Sequence, residues 1–323
     1  MVCTMKYSAA CFTNQPEKFN QVFSAGRLHT LSSHCDFHPL TITAENIDAQ
    51  LSHLKSVEVI FSSWGMFPLS AKQLDALPNL KILFYAAGKT DAFADGFIRR
   101  GIPVVSAWRA NAIPVAEFCL AQILLACKGY FRNHRDYGAP DKFEHLHHHH
   151  PAPGVYEERV ALIGAGAISQ TLTQLLRPFA LDVITLPSRK ENRTTTLESA
   201  FETAFVISNH LPNRDDNKQI LNGDLFTRMR PGAVFINTGR GMQVNEAELI
   251  EVLQQRPDLT ALLDVTYPEP PCSDSPLYRL PNIHLSSHIA GALNNETRRL
   301  GDLVISEFLR WTRSEPLQHQ VIT

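Results

Sequence analysis

Three residues toward the end of the chain have the types and settings to work on a carbonyl: Arg240 in "FINTGRG", Glu269 in "DVTYPEPP" and His288 in "LSSHIAG". Reducing a 2-oxo acid by hydride transfer asks the protein for a cation to hold the carboxylate and oxo group, and for a proton donor to the new hydroxyl. Arginine meets the first need, since its fork of N–H groups matches a carboxylate and never loses its charge. A glutamate bonded to an imidazole meets the second, because it fixes the tautomer and favours the protonated ring. Taken singly, each residue reads more simply as structural. Following successive β-branched runs, the three read as one site.

Those runs belong to a longer series. "RVALI" (159–163), "VITL" (183–186), "AFVIS" (204–208), "AVFIN" (233–237), "LTALLD" (259–264) and "IHLS" (283–286) alternate with helical or loop segments, as parallel strands joined by crossovers require. An earlier series, "VEVIF" (57–61), "SAKQLDAL", "KILFY" (81–85), "DAFADGFIRR" and "PVVS", reads as βαβαβ, with Ser70 and Gln73 spaced as a capping box. Between the two lies "IPVAEFCLAQILLACKGYF" (113–131), apolar on most sides and therefore expected to be a helix buried between domains or subunits. Residues 132–157 lose periodicity and carry "HLHHHHPAPG", which predicts a surface loop; a contiguous histidine tract there has no fixed geometry for a metal, and none is expected. The segment 294–312 reads as an amphipathic helix with Leu303, Phe308 and Trp311 among its apolar positions.

The stretch "RVALIGAGAISQTLTQLL" (159–176) runs a strand into a helix through a glycine turn. Gly164 permits the tight turn, and Gly166 lets a pyrophosphate approach the main-chain N–H groups that open the helix. A third glycine is expected for close packing of helix on strand, and Ser169 stands there instead. At the end of the next strand, where an acidic residue would accept bonds from an adenosine ribose, the chain reads "LPSRKEN". Asp182 precedes that strand, so Pro187 holds the acidic position, followed by Ser188, Arg189 and Lys190. A hydroxyl and two cations suit a 2'-phosphate; the plainer reading is a solvated turn with two surface charges.

Bulk properties bound the rest. A chain of 323 residues is comfortable for two domains, and 30 Lys plus Arg against 32 Asp plus Glu, net −2, offers no basic excess for nucleic acid. Six scattered cysteines (Cys3, Cys11, Cys35, Cys119, Cys127, Cys272) form no CxxC pair and fit reduced thiols. No apolar run precedes Cys11 and none without interruption reaches membrane-spanning length, so a cytoplasmic protein with no membrane partner is expected.

"FINTGRG", "LLDVTYPEPP", "LPNIHLSSHIAG" and "NAIPVAEF" together resemble the D-isomer-specific 2-hydroxyacid dehydrogenases in order and spacing, from about residue 55 to 312. The resemblance implies that Arg240 binds the substrate carboxylate and oxo group, that Glu269 orients His288, and that His288 is the acid/base. It implies a nicotinamide contact for Asp264 and a substrate loop at "YAAGKTD", where main-chain N–H groups around Ala87 and Gly88 would meet the carboxylate, with Trp64 nearby. The expected cofactor set is Gly164, Gly166, Ala167, Ile168, Ser188, Arg189, Lys190, Pro212, Thr238 and Asp264. Departures are Ser287 where the family usually has proline, Ser169, and Pro187. Glu269 argues against the formate dehydrogenases, which carry glutamine there, and "LPSRK" resembles the NADP-preferring glyoxylate and hydroxypyruvate reductases.

The expected protein is therefore α/β with two domains. A flavodoxin-like substrate domain (1–108 with 292–323) flanks a Rossmann dinucleotide-binding domain (109–291) built on a parallel sheet. It would act as a homodimer that reduces glyoxylate or hydroxypyruvate with NADPH, NAD being the second choice. The alternatives are a D-3-phosphoglycerate dehydrogenase-like enzyme and a dinucleotide-sensing protein similar to the corepressors that share this fold.

Overall fold

The computed structural model describes residues 6–149 and 152–321, which leaves Cys3 and His150 outside the described residues. The chain divides into two compact units, residues 1–111 with 292–323, and residues 112–291.

In the first unit five parallel strands, β1 (Tyr7–Phe12), β2 (Cys35–Phe37), β3 (Val59–Ser62), β4 (Ile82–Tyr85) and β5 (Val104–Ser106), lie in the order β2-β1-β3-β4-β5. This is the flavodoxin-like order, with its switch point between β1 and β3. Both faces are covered: Phe12, Ile60, Leu83 and Phe97 fill one side, and Phe61, Phe84 and Phe308 the other. The helix Thr297–Thr312 supplies Phe308, which meets Phe61 edge-on at 5.3 Å. No strand was expected before residue 55, yet β1 occupies the second place in the sheet. Its sequence, YSAACF, is mostly small residues, two of them buried alanines, so it carries little of the β-branched signature by which strands are read.

The second unit has six parallel strands, β6 (Arg159–Ile163), β7 (Asp182–Leu186), β8 (Val206–Asn209), β9 (Val234–Asn237), β10 (Thr260–Leu263) and β11 (Ile283–Leu285), in the order β11-β10-β9-β8-β6-β7. Their register is the feature that matters for function. Leu186, Ile163, Asn209, Asn237, Leu263 and Leu285, the last residue of each strand, stand side by side across the sheet. Whatever follows each strand therefore emerges along one line, and the order reverses between β6 and β8, where open α/β sheets bind ligands.

The helix Trp108–Cys127 is long and apolar enough to cross a membrane by length and composition. Half of it is buried, however, and Ala116, Cys119, Ile123 and Ala126 pack into the core of the six-stranded sheet. Its apolar character is that of a core helix.

The expected loop over 132–157 is in part helical: Tyr130–Asp136 and Phe143–His148 form two short helices. Neither buries a residue, so neither leaves the apolar periodicity by which a helix is recognised. They are held by neighbours one turn apart, with Tyr130 stacked on His134, Phe143 on His147, and His148 Nε2 3.3 Å from Glu144. Among the described residues no three His, Cys, Asp or Glu side chains gather as a ligand set.

Candidate active site

Each strand of the second unit delivers one candidate residue directly after its last position: Gly164, Pro187, His210, Thr238, Asp264 and Ser286. Arg240, Glu269 and His288 follow within a few residues of β9, β10 and β11. The sheet thereby gathers groups far apart in sequence.

At the exit of β6, Gly164 has φ +109°, and an added Cβ would lie 2.5 Å from the His210 carbonyl oxygen. Only glycine fits there. Gly166 is the N-cap of the helix Ala167–Leu176, which no side chain caps, and a Cβ on Gly166 would meet nothing within 4 Å. No side chain takes the first N–H groups of this helix, and Ala167 and Ile168 lie in its first turn. Ser169 is fully buried, and its hydroxyl donates to the Gly164 carbonyl at 2.6 Å. The residue standing in for the third glycine ties the turn together.

A cavity of about 330 Å³ lies against this turn, lined by Ala165, Gly166, Pro187, Ser188, Arg189, Asn192, His210 and Pro212. An uncapped helix start at one end and a cationic turn at the other fit the pyrophosphate and the adenosine ribose of a dinucleotide. The Arg189 side chain is 63% exposed and sits 3.9 Å from Glu191, while Lys190 is exposed beside it. Arg193, which the sequence reading passed over, gives the turn its shape. Its Nε donates to the Pro187 carbonyl and its Nη2 to the Ser188 carbonyl, both at 2.8 Å. An arginine a few residues beyond a Pro-Ser pair was the available signal. Asp182 opens β7 and pairs with Arg159 at 2.7 Å, at the opposite end of the strand from this turn.

His210 was also passed over. It is buried between Ser208 Oγ (2.9 Å from Nε2) and Thr238 Oγ1 (3.2 Å from Nδ1), and Thr238 in turn meets Cys119 Sγ at 3.4 Å. Burial pushes the His210 pKa down to about 3, so the ring stays neutral, and it pushes the Cys119 thiol up to about 12. Burial likewise takes the thiols of Cys11, Cys35 and Cys127 to about 12.

His288 Nδ1 lies 2.6 Å from Glu269 Oε1, and both side chains are about half exposed, at 50% and 42%. With Nδ1 engaged, Nε2 is the atom left to carry a proton to a ligand. His288 has φ +58°, a conformation that costs a non-glycine residue energy unless its surroundings impose it. Asp264 imposes it. Its carboxylate accepts from Ser286 Oγ (2.6 Å), Ile289 N (2.8 Å) and Ala290 N (3.0 Å), and its carbonyl accepts from His288 N (3.1 Å). Asp264 is 4% exposed and spends three carboxylate bonds on the histidine turn. It therefore holds that turn, whatever single further bond Oδ2 makes to a ligand.

Arg240 sits between two glycines that have no room for side chains. A Cβ on Gly239 would lie 2.6 Å from Gln243 Oε1, and one on Gly241 would lie 2.0 Å from the Thr266 backbone. The second contact presses the arginine turn against the segment joining Asp264 to Glu269. Arg240 is partly buried, and its Nη1 donates to the Gly239 carbonyl at 2.6 Å.

In the other unit, Trp64 and Ala87 follow the adjacent strands β3 and β4. The Trp64 carbonyl accepts from Thr13 Oγ1 at 2.8 Å, and its ring has Lys18 Nζ 5.9 Å from the centroid. The carbonyls of Ala87 and Gly88 both accept from Ser106 Oγ at 2.9 Å, which turns this bend's carbonyl oxygens into the protein. Gly88 needs no unusual backbone angle, and a Cβ there would meet Asn111 only at 3.6 Å.

Residues 120–290 match the model of the D-isomer specific 2-hydroxyacid dehydrogenase, NAD binding domain. The chain is 26% identical over 259 residues to a glyoxylate reductase of Korarchaeum cryptofilum, covering 77% of this chain and 78% of that one. It is 28% identical over 246 residues to a D-3-phosphoglycerate dehydrogenase of Mycobacterium tuberculosis, covering 72% of this chain but only 45% of that longer protein. Among solved structures, apo D-mandelate dehydrogenase of Rhodotorula graminis superposes with a TM-score of 0.81 at 19% identity, over 99% of this chain and 98% of that one.

Proposed function

Because the chain belongs to the D-isomer-specific 2-hydroxyacid dehydrogenase family, we propose that it reduces a small 2-oxo acid, of the glyoxylate or hydroxypyruvate class, to the D-2-hydroxy acid with NADPH as the preferred cofactor. The observation that carries this reading is the 2.6 Å pair of Glu269 with His288, emerging beside the strand exit that bears the Arg240 turn. The name of the glyoxylate reductase relative supports the substrate class.

When bound, the nicotinamide dinucleotide supplies the hydride. Gly164, Gly166 and the first N–H groups at Ala167 and Ile168 would hold its pyrophosphate, with Pro212, Thr238 and Asp264 toward the reacting end. Arg240 holds the substrate carboxylate and draws electron density onto the oxo oxygen. His288 passes the proton on Nε2 to that oxygen as it becomes a hydroxyl, and Glu269 holds the ring upright and offsets its positive charge. Ser188, Arg189 and Lys190 favour a 2'-phosphate, since Pro187 brings no carboxylate to the strand exit.

The enzyme acts as a cytoplasmic homodimer in this reading, without nucleic acid or membrane partners. Exposed Leu125, Tyr130, Tyr137 and Phe143 around a surface groove of about 340 Å³ support a second copy as the partner, and light scattering on the purified protein tests it. The deciding experiment for the activity is a panel of 2-oxo acids assayed with NADPH and with NADH. Turnover of glyoxylate or hydroxypyruvate, faster with NADPH, is expected. Submicromolar dinucleotide binding with no turnover on any acid would replace the enzyme with a dinucleotide-sensing protein.

A further inference from the structure

Three buried amides lie under the arginine turn, and nothing in the reaction as proposed uses them. Asn209 is 0% exposed, and Asn237 and Gln243 are each 1% exposed. Asn209 Nδ2 donates to Asn237 Oδ1 at 2.9 Å and to Gln243 Oε1 at 2.8 Å. Gly239 N donates to Asn237 Oδ1 at 3.1 Å, and Arg240 N to Gln243 Oε1 at 3.0 Å. On its other side Gln243 Nε2 donates to the carbonyls of Leu211 and Pro212, both at 2.9 Å, and Asn209 Oδ1 accepts from Leu211 N at 3.2 Å.

Gln243 is the member whose side chain bonds the main chain of both turns. Its oxygen fixes the main chain of Arg240, and its nitrogen fixes the turn that follows β8 and lines the dinucleotide cavity. Two acceptances and two donations use its full capacity, so neither end can rotate without stranding buried partners. The orientation of Asn237 follows from the same logic: Oδ1 already takes two donors, and a flipped amide would set donor against donor.

We propose that Gln243 is a positioning residue that sets how Arg240 is presented to the substrate by bolting its turn to the turn after β8. The inference rests on Arg240 being the substrate cation. Gln243→Leu shortens the side chain by one atom, leaves it apolar and removes all four bonds. In that variant KM for the 2-oxo acid rises about tenfold or more, kcat falls by a smaller factor because Arg240 also polarises the oxo group, and the NADPH dissociation constant rises by less than about threefold, because the pyrophosphate turn at Gly164 keeps its bonds to Leu186 and Ser169. A general loss of folding would move all three together.

Combination with Arg240→Lys separates the two readings. Arg240→Lys alone raises KM sharply, and adding Gln243→Leu to it raises KM little further, because the group being positioned has already been replaced. An equal KM increase in both backgrounds, or a folded Gln243→Leu with wild-type KM, overturns the role of Gln243 and leaves Arg240 in place. Normal saturation in Arg240→Lys removes both. Should Gln243→Leu not fold, Gly239→Ala presses on the same amides from the other side, 2.6 Å from Gln243 Oε1 and 2.7 Å from Asn209 Nδ2, and must give the same split.

Discussion

The exits of β9, β10 and β11 and the exit of β7 lie along one edge of one sheet, yet they are built to different standards. At the first three, buried groups dictate position: Asp264 takes three bonds from the histidine turn, three amides hold the arginine turn, and Gly241 is pressed on Thr266. At the fourth, Arg193 ties down two carbonyls while Arg189 and Lys190 stand in solvent. Proton transfer fails when a group moves by a fraction of a bond length, so the groups proposed to perform it are expected to be over-determined. A phosphate can be met by a mobile cation, and that preference is worth less and changes more readily.

The sharpest way to break this contrast is at its rigid side. His288→Ala should lower turnover by roughly 10²- to 10⁴-fold, the usual contribution of a positioned acid, while NADPH binding measured by fluorescence titration stays near wild type. Turnover within a few-fold of wild type would take His288 out of the reaction. Glu269→Gln keeps a hydrogen-bonding partner and loses the charge, a difference of about 1–1.5 kcal/mol, so kcat should fall roughly tenfold. A fall as deep as that of His288→Ala would mean that Glu269 does more than support the ring.

The mobile side should respond more gently. Arg189→Ala should raise KM for NADPH by about three- to tenfold and leave NADH unchanged, with the gap narrowing as salt is added. Equal losses for both cofactors would make Arg189 an ordinary surface charge.

The smallest effect concerns stability at low pH. His210 titrates near 6.5 when unfolded and near 3 in the fold, so between those values the unfolded chain binds the extra proton. Its contribution therefore destabilises the fold as pH drops through that window, by at most about 1.4 kcal/mol per pH unit. His210→Gln should flatten the decline in urea midpoint between pH 6.5 and 5 relative to wild type. An unchanged slope would assign the acid sensitivity to other groups.

Much of this was written in the sequence, and what was missing had two causes. Strands buried on both faces announce themselves as β-branched runs, so "RVALI" and "AVFIN" could be placed within a residue or so of β6 and β9. Gly164, Arg240, Glu269 and His288 could be nominated as candidates because the chemistry proposed for them is carried by residue type and by position after such a run. Strand β1 and the helices Tyr130–Asp136 and Phe143–His148 were not, since small residues and unburied faces leave no periodic signal. The bonds of Ser169 to Gly164, Arg193 to Pro187, and Gln243 to Arg240 and Pro212 depend on which atoms meet. The chain's own order thus determined most of the elements and nominated the candidate groups. Only the tertiary structure decided what holds those groups still: β8 and β9 must first pair in register before Asn209 can reach Gln243 from 34 positions away.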